Sequence, residues 1–248
     1  MRGLPLLVSL PDSYEAIDTF SKELSWSAED RKCAQRLFDR GLPPLATSQT
    51  LPFLFGISPK LVSAMGKFPD RYYRIFEIPK KSGGIRKIEA PRRFLKIVQR
   101  WILDHILSTR ELPSFVVGFV KGKNIFDNAK PHTAGKNLMV VDIENFFPSV
   151  KFSAILKLFE SFGFPSEVSK QLGALCSLNG RLPQGAPTSP AISNLAFRPV
   201  DLELVKLARE WKCVYTRYAD DLAFSGSRHF TKEDIRKVQR LIASVVYQ

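Results

Sequence analysis

The chain has 248 residues, with 37 Lys and Arg against 24 Asp and Glu, which gives a formal net charge of +13 at pH 7. Its 44% hydrophobic residues and 19 Phe can fill a core, which excludes a disordered or low-complexity chain. The length fits one large domain or two closely packed subdomains, and the charge favours a polyanionic partner, nucleic acid before an anionic membrane.

The first 70 residues are predicted to form a helical extension. Leu4–Leu10 is a short apolar run broken by Pro5 and Ser9, and no run in the chain reaches about 18 apolar residues. We therefore expect neither a signal peptide nor a membrane span. Glu29–Arg40 has helical spacing and ends before Gly41. This segment contains no catalytic pattern.

Two strand-like runs and a helix come next. Tyr72–Pro79 and Ile85–Ala90 flank a basic, glycine-bearing stretch, which predicts a β-hairpin. Apolar residues recur at three- and four-residue steps in Arg93–Ser108, which predicts an amphipathic helix. After a polar segment, Leu138–Ile143 is predicted to be a buried strand that carries Asp142 near its end.

The rest of the chain is predicted to alternate helices with one hairpin. One helix is expected to follow Pro148 and run to about Phe162, and another is expected over Pro190–Glu210 with a kink at Pro199. Val214–Ser225 has the pattern of a strand, a turn and a strand, and a last helix begins at Thr231. The three cysteines are far apart and lack C-x-x-C spacing, which disfavours disulfides or a zinc site and fits the cytoplasm.

Asp220 and Asp221 lie in the predicted turn, where adjacent carboxylates repel each other unless a cation lies between them. A solvated turn is the alternative, because Asp is common in turns. Asp142 favours the first interpretation, since it adds a third carboxylate at a strand edge of a strongly basic chain. Such carboxylates can hold two divalent ions about 3.5–4 Å apart for phosphoryl transfer. Oxygen ligands favour Mg²⁺ or Mn²⁺ over zinc.

Four motifs in this order resemble the fingers and palm of a reverse transcriptase. They are Ile85–Ile88, Asp142–Phe147, Leu182–Pro190 and Tyr218–Asp221. Within that superfamily the chain is most similar to the bacterial retron reverse transcriptases, because Asn128–His132 matches their Asn-Ala-x-x-His signature. The resemblance implies an α+β right-hand polymerase fold, with an antiparallel palm sheet packed on helices. The resemblance spans about Tyr72 to Ser225 and matches residues 1–70 only loosely. We therefore expect a helical extension over 1–70, fingers over 71–135 and a palm over 136–248.

The resemblance assigns the chemistry to the carboxylates. It makes Asp142, Asp220 and Asp221 the catalytic and metal-binding residues, with the backbone carbonyl of Ile143 as a further metal ligand. It places Phe147 at the steric gate that crowds a ribose 2′-hydroxyl and so selects dNTPs. Ordinary packing in the core is the alternative for this ring.

The resemblance also implies which residues bind the incoming nucleotide. Arg86 would hold the triphosphate with its guanidinium fork, assisted by Lys80 or Lys81. Gln184 would hydrogen-bond the nucleotide, and Gly185 would let the backbone approach it.

Three further residues are implied to contact nucleic acid. Tyr218 would lie beside the primer terminus, and Asn128 and His132 would recognise the cognate structured RNA. For Asn128 the alternative is a turn cap, and for His132 an ordinary loop histidine.

The implied function is an RNA-directed DNA polymerase that copies a structured non-coding RNA, primes from a 2′-hydroxyl within it and yields a branched RNA–DNA product (msDNA) in antiphage defence. One alternative is a defence-associated or abortive-infection reverse transcriptase with protein-primed or untemplated synthesis. Another is a non-catalytic RNA-binding scaffold, against which the intact carboxylates count.

The chain ends soon after Asp221. We therefore expect that it lacks the thumb of this family and that, alone, it holds a primer–template weakly. The thumb would be missing because the chain is a fragment, because a second polypeptide supplies it, or because the protein works without one. An effector protein could also join the complex, and no membrane partner is expected.

Overall fold

The computed structural model describes residues 14–80 and 83–246 and contains helices and two small antiparallel sheets, which confirms the predicted mixed class. Within these residues, no helix is both long and apolar enough to cross a membrane. The elements are, in chain order, α1 (Tyr14–Glu23), α2 (Ala28–Asp39), α3 (Thr50–Phe55), α4 (Pro59–Lys67), β1 (Tyr73–Pro79), β2 (Ile85–Pro91), α5 (Arg93–Ile102), α6 (Ile125–Ala129), β3 (Asn137–Asp142), α7 (Phe146–Ser149), α8 (Phe152–Ser161), α9 (Ser166–Cys176), α10 (Ser189–Ala196), α11 (Arg198–Glu210), β4 (Val214–Tyr218), β5 (Asp221–Gly226) and α12 (Lys232–Val246).

The chain divides into two compact units. The first contains the residues up to Arg110 together with Lys151–Thr188, and the second contains Glu111–Val150 and the residues from Ser189 onward. These units are defined by packing alone and do not test a division into functional subdomains. The assignment of 1–70, 71–135 and 136–248 to an extension, fingers and palm therefore stays a prediction.

The first unit contains the predicted hairpin and a group of helices. Strands β1 and β2 pair antiparallel from Tyr73 opposite Pro91 to Pro79 opposite Ile85, as the sequence predicts. Helix α9 packs against α4, α5 and α8. The buried Gln99 on α5 ties these parts together, because its Nε2 donates to both Tyr73 Oη and the carbonyl of Leu175, each at 2.8 Å.

The predicted helix after Pro148 is confirmed as α8, which ends at Ser161 against the expected end near Phe162, and a separate short helix, α7, precedes it. Helix α7 is a single turn that ends at Ser149, and α8 begins at Phe152. Between them Lys151 forms an antiparallel bridge with Arg181, and the amide of Phe152 donates to the carbonyl of Gly180 at 2.8 Å. These bonds hold the backbone extended at Lys151, so α7 does not continue into α8.

The second unit contains a three-stranded antiparallel sheet in the order β3-β5-β4. One face carries Met139, Val141 and Phe224 into a core with Leu204 and Leu207 of α11. The other face carries alternate residues of β3 that are exposed, including Asp142. The predicted strand and the predicted hairpin are both confirmed.

The predicted kink at Pro199 is a break between two helices. Helix α10 ends at Ala196 and α11 begins at Arg198, with Phe197 between them. Proline has no amide hydrogen and restricts the residue before it, so it is tolerated in the first turn of a helix and not in its interior. The sequence therefore identified the position of the break within two residues.

Candidate active site

The three predicted carboxylates lie side by side at one edge of the second unit's sheet. Asp220 belongs to the turn between β4 and β5, and Asp221 is the first residue of β5. The β3–β5 register places Asp142 opposite Asp221, and the amide of Ile143 donates to the carbonyl of Asp220 at 3.0 Å. Ala219 closes the turn in the left-handed region with φ of 59°. The structure thus brings together residues about 80 positions apart in sequence.

The three carboxylates give this edge of the sheet a negative charge that no neighbouring cation among the described residues compensates. Partial burial raises the pKa of Asp221 from its ordinary value of 3.8, and the charges of Asp220 and Asp142 raise it further. In the described part of the chain, no Lys, Arg or His pairs with these three carboxylates. Among the residues that the structure describes, no three His, Cys, Asp or Glu side chains are arranged closely enough to hold a metal ion as they stand. The edge is an acidic cluster whose repulsion a cation would relieve.

A fully buried arginine supports the turn from beneath. The guanidinium of Arg217 donates to Asp201 at 2.8 and 2.9 Å, and both side chains are 0% exposed. Its Nη1 also donates to Asn194 Oδ1 at 2.8 Å and to the carbonyl of Ala219 at 3.2 Å. Tyr215 donates from its hydroxyl to Asp201 at 2.7 Å. Residues of α10 and α11 therefore hold the backbone of the carboxylate turn.

A second support is the close approach of the backbone at Gly118. A Cβ on Gly118 would lie 2.2 Å from the amide nitrogen of Ala219, so only glycine fits there. The carbonyl of Gly118 accepts from Asn194 Nδ2 at 2.9 Å, and the amide of Val117 donates to the carbonyl of Arg217 at 2.9 Å. The sequence interpretation missed Gly118, Asn194, Asp201 and Arg217. The one sequence feature that could have revealed this support was Arg217, a charged residue inside a largely apolar strand.

Phe147 lies on α7 and is half-buried. Its ring centroid is 5.6 Å from that of Phe146 and 5.9 Å from that of the exposed Phe119. The ring thus packs partly against the core of the second unit and keeps part of its surface exposed. The steric gate at Phe147 stays a prediction.

The segment with the Asn-Ala-x-x-His signature lies on the same sheet. His132 is within 2.7 Å of Ser225 Oγ through Nδ1 and of Thr216 Oγ1 through Nε2. Burial lowers the pKa of His132, so near pH 7 one ring nitrogen donates and the other accepts. Asn128 Oδ1 is buried with no hydrogen-bond partner among the described residues. Because both nitrogens of His132 are engaged, this residue anchors the segment, and its contact with RNA stays a prediction.

The predicted nucleotide residues of the first unit are held together by Glu89. This buried carboxylate accepts from Arg181 at 2.7 and 2.9 Å, and its own amide donates to the carbonyl of Gln184 at 2.8 Å. Burial is the largest single influence and would raise the pKa of Glu89, but the hydrogen bonds and charge of Arg181, with the amide of Gln184 and the charge of Lys87, together lower the pKa. The chain around Gly185, with φ of 127°, comes so close that a Cβ would be 3.2 Å from the Glu89 carbonyl. Strand β2, which carries Arg86, is thereby fixed to the loop of Gln184.

Two predicted cationic residues, Lys80 and Arg86, lie near the tip of this hairpin. Lys80 is exposed, and its amide donates to the carbonyl of Gly84 at 3.0 Å. Arg86 is also exposed and lies opposite Ile78 in the hairpin. Lys81 lies outside the described residues. Tyr218, in the second unit, is half-buried and pairs with Asp221 across the turn.

Comparison with known proteins agrees with these motifs. Residues 78–246 match the family described as reverse transcriptase (RNA-dependent DNA polymerase). In an alignment of 184 positions, the chain is 36% identical to the retron Mx65 reverse transcriptase of Myxococcus xanthus, and the alignment covers 67% of the chain and 43% of that protein. It is 34% identical to the retron Ec86 reverse transcriptase of Escherichia coli over 193 residues, 77% of the chain and 60% of that protein. The chain thus spans about half the length of these relatives.

Proposed function

Because the chain belongs to the retron-type bacterial reverse transcriptases, we propose that it acts as an RNA-directed DNA polymerase whose metal-binding residues are Asp142, Asp220 and Asp221. The observation that carries this proposal is the register of β3 and β5. It places Asp142 opposite Asp221, beside the turn that holds Asp220. Three carboxylates without a cationic partner at one sheet edge fit a divalent-cation site.

The donor set fits hard divalent cations. The three carboxylates and the backbone carbonyl of Ile143 offer only oxygen, which suits Mg²⁺ or Mn²⁺ better than zinc. When two such ions are bound, they activate the attacking hydroxyl and stabilise the leaving pyrophosphate.

The surrounding residues would position the substrates. Arg217 holds the turn through the carbonyl of Ala219, and this fixes where the carboxylates stand. We propose that Tyr218 contacts the primer terminus and that Phe147 crowds a ribose 2′-hydroxyl. These two roles rest on the family resemblance together with the partial exposure of both rings.

For the first unit, the proposed roles also rest on the resemblance. Arg86, with Lys80 or Lys81, would bind the triphosphate, and Gln184 and Gly185 would contact the nucleotide. The exposure of Arg86 and its attachment through β2 to the Gln184 loop support these roles.

The template is proposed to be a structured non-coding RNA, with priming from a 2′-hydroxyl of that RNA and a branched RNA–DNA product. The similarity to the Mx65 and Ec86 enzymes, whose names identify them as retron reverse transcriptases, supports this part. Sequencing the nucleic acid that co-purifies from cells tests it. A branched hybrid supports retron-type synthesis, whereas DNA linked to the protein or lacking a template supports the defence-associated alternative. A role in antiphage defence is proposed only from the family resemblance of the motifs.

Primer extension tests the carboxylates. Asp220→Asn and Asp142→Asn should each abolish incorporation of dNTPs by the 248-residue chain in Mg²⁺ and leave RNA binding intact, because only the cation site is lost. Asp104→Asn, an exposed substitution of the same type in the first unit, is the matched control. Extension by either site variant at the wild-type rate would remove the assignment.

A further inference from the structure

A groove outside the predicted active-site residues runs along α4 and α9 of the first unit. Two cavities of about 500 and 730 Å³ share four lining residues, Gly66, Lys67, Phe68 and Ala174, so they form one continuous groove. The two helices approach closely there, because a Cβ on Gly66 would lie 3.0 Å from that of Ala174. Each volume lies within the range of about 300–1,000 Å³ that is typical of ligand pockets. We call it the α4–α9 groove.

The lining of the α4–α9 groove is strongly basic. Lys60, Lys67, Lys170 and Arg71 all line it and are exposed. The one acid among the described lining residues is Asp70, whose carboxylate already accepts from Asn179 at 3.3 Å. In the part of the chain that the structure describes, none of the four cations pairs with a carboxylate. The groove therefore complements an anionic ligand with several charges.

An exposed aromatic ring lies at the junction of the two cavities. Phe68 is 52% exposed although it is fully apolar, and the guanidinium of Arg71 lies 5.2 Å from its ring centroid. Exposed rings beside cations are the platforms on which unpaired bases stack, because every base has a π-face. A duplex hides its bases from such a ring, so this feature favours a single strand.

The remaining lining residues add uncharged hydrogen-bonding groups. Gln49, Ser63 and Asn179 are exposed in the groove and carry amide or hydroxyl groups. Such groups can bond the ribose 2′-hydroxyl, which donates and accepts and which DNA lacks. This favours RNA over DNA as the occupant.

We propose that the α4–α9 groove binds a single-stranded segment of RNA, with its phosphates on Lys60, Lys67 and Lys170 and a base stacked on Phe68. This adds a second RNA contact to the proposed polymerase and rests on that function only in taking RNA as the partner. None of the groove residues belongs to the sites that the family resemblance implies.

A binding assay tests the proposal without polymerisation. Fluorescence anisotropy measures the affinity of the 248-residue chain for a short, unstructured, labelled RNA in EDTA at several salt concentrations. Replacing the three groove lysines together by Ala should lower the slope of log K against log salt by about 2, since each phosphate contact on a single strand contributes about 0.7. Phe68→Leu should weaken binding by about 5- to 150-fold through loss of base stacking.

Two control variants of the same unit match these changes. Lys22, Lys32 and Lys157 are exposed lysines outside the groove, and their triple Ala variant removes the same charge. Phe53, 40% exposed on α3, provides the matching Phe→Leu change. Both controls should keep the wild-type affinity to within about 2-fold, and their salt slopes should stay close to that of the wild type.

Three results would overturn the proposal. They are groove variants that behave like the control variants, a DNA of the same sequence that binds as tightly as the RNA, and a chain that binds no RNA in EDTA. Asp220→Asn separates this proposal from the proposed function. It should bind the RNA like the wild type, so loss of polymerisation in that variant leaves the groove result unaffected.

Discussion

Replacing Arg217 by Met tests whether the carboxylate turn is held from beneath. The ion pair of Arg217 with Asp201 is fully buried, with its closest atoms 2.8 Å apart. Without the guanidinium, the Asp201 carboxylate keeps only the hydroxyl of Tyr215 as a described side-chain donor. An unpaired buried charge of this kind lowers the free energy of unfolding by about 3–5 kcal/mol. The single variant is therefore expected to unfold at markedly lower urea concentration.

A second variant separates stability from positioning. Arg217→Met with Asp201→Asn removes both charges, and the Asn side chain can still accept from Tyr215. Replacement of a whole buried pair is often close to neutral, so the double variant should unfold within about 2 kcal/mol of the wild type. The carbonyl oxygen of Ala219 and the side-chain Oδ1 of Asn194 would still lack the donor that Arg217 supplies. A displacement of the turn by about 1 Å would lower the rate of extension by about 100-fold.

The assay combines urea unfolding with single-turnover primer extension over a range of dNTP concentrations. The maximal rate should fall in the double variant, while the dNTP concentration for half-maximal rate changes little. Lys206→Met with Glu203→Gln removes an exposed ion pair on α11, the helix that carries Asp201, and should change neither quantity appreciably. Wild-type extension by a stably folded double variant would refute the positioning role and leave Arg217 a purely structural residue.

The other predictions concern the nucleotide residues and the signature segment. Phe147→Val should raise incorporation of rGTP relative to dGTP in competition assays, and an unchanged ratio would assign the ring to the core. Glu89→Gln should raise the KM for dNTP more than it lowers kcat, because it breaks the two-bond ion pair with Arg181 at the start of the loop that carries Gln184. Because folding lowers the pKa of Glu89, the ionised Glu89 stabilises the fold above its ordinary pKa of 4.5, and this stabilisation is lost as the pH falls through the lowered pKa. Acid unfolding of Glu89→Gln should therefore lack the loss of stability that the wild type shows in that pH range. His132→Ala should lower the free energy of unfolding by about 1–3 kcal/mol, since the buried hydroxyls of Ser225 and Thr216 lose their partner. If the variant loses initiation on the cognate RNA and extension of a generic primer equally, His132 has only a structural role.

The sequence alone predicted the strands that carry the carboxylates, because their apolar pattern and their acidic residues occur in the same short segments. Alternating apolar residues on either side of Asp220 predict the β4–β5 hairpin, and the strand before Ile143 predicts where Asp142 stands. Both elements appear with bounds within two residues of those expected. The carboxylate edge follows from these two elements once they pair.

The supports of the site were beyond the reach of local pattern. Asp201 and Arg217 lie on a helix and a strand that meet only in the fold, and Gly118 is distinguished only by the backbone that approaches it. Helix α9 has no strong periodic signal of its own because it is buried by several neighbours. Such features depend on tertiary contacts, which residue spacing does not encode.

Binding of Mn²⁺ in place of Mg²⁺, followed by electron paramagnetic resonance, tests the central claim most directly because it needs no polymerisation. The free-ion signal should fall when the 248-residue chain is added, and Asp104→Asn should behave in the same way. Asp142→Asn and Asp220→Asn should leave most of the free-ion signal in place. Site variants that bind as many ions as the wild type with the same affinity would contradict the assignment of the metal-binding carboxylates.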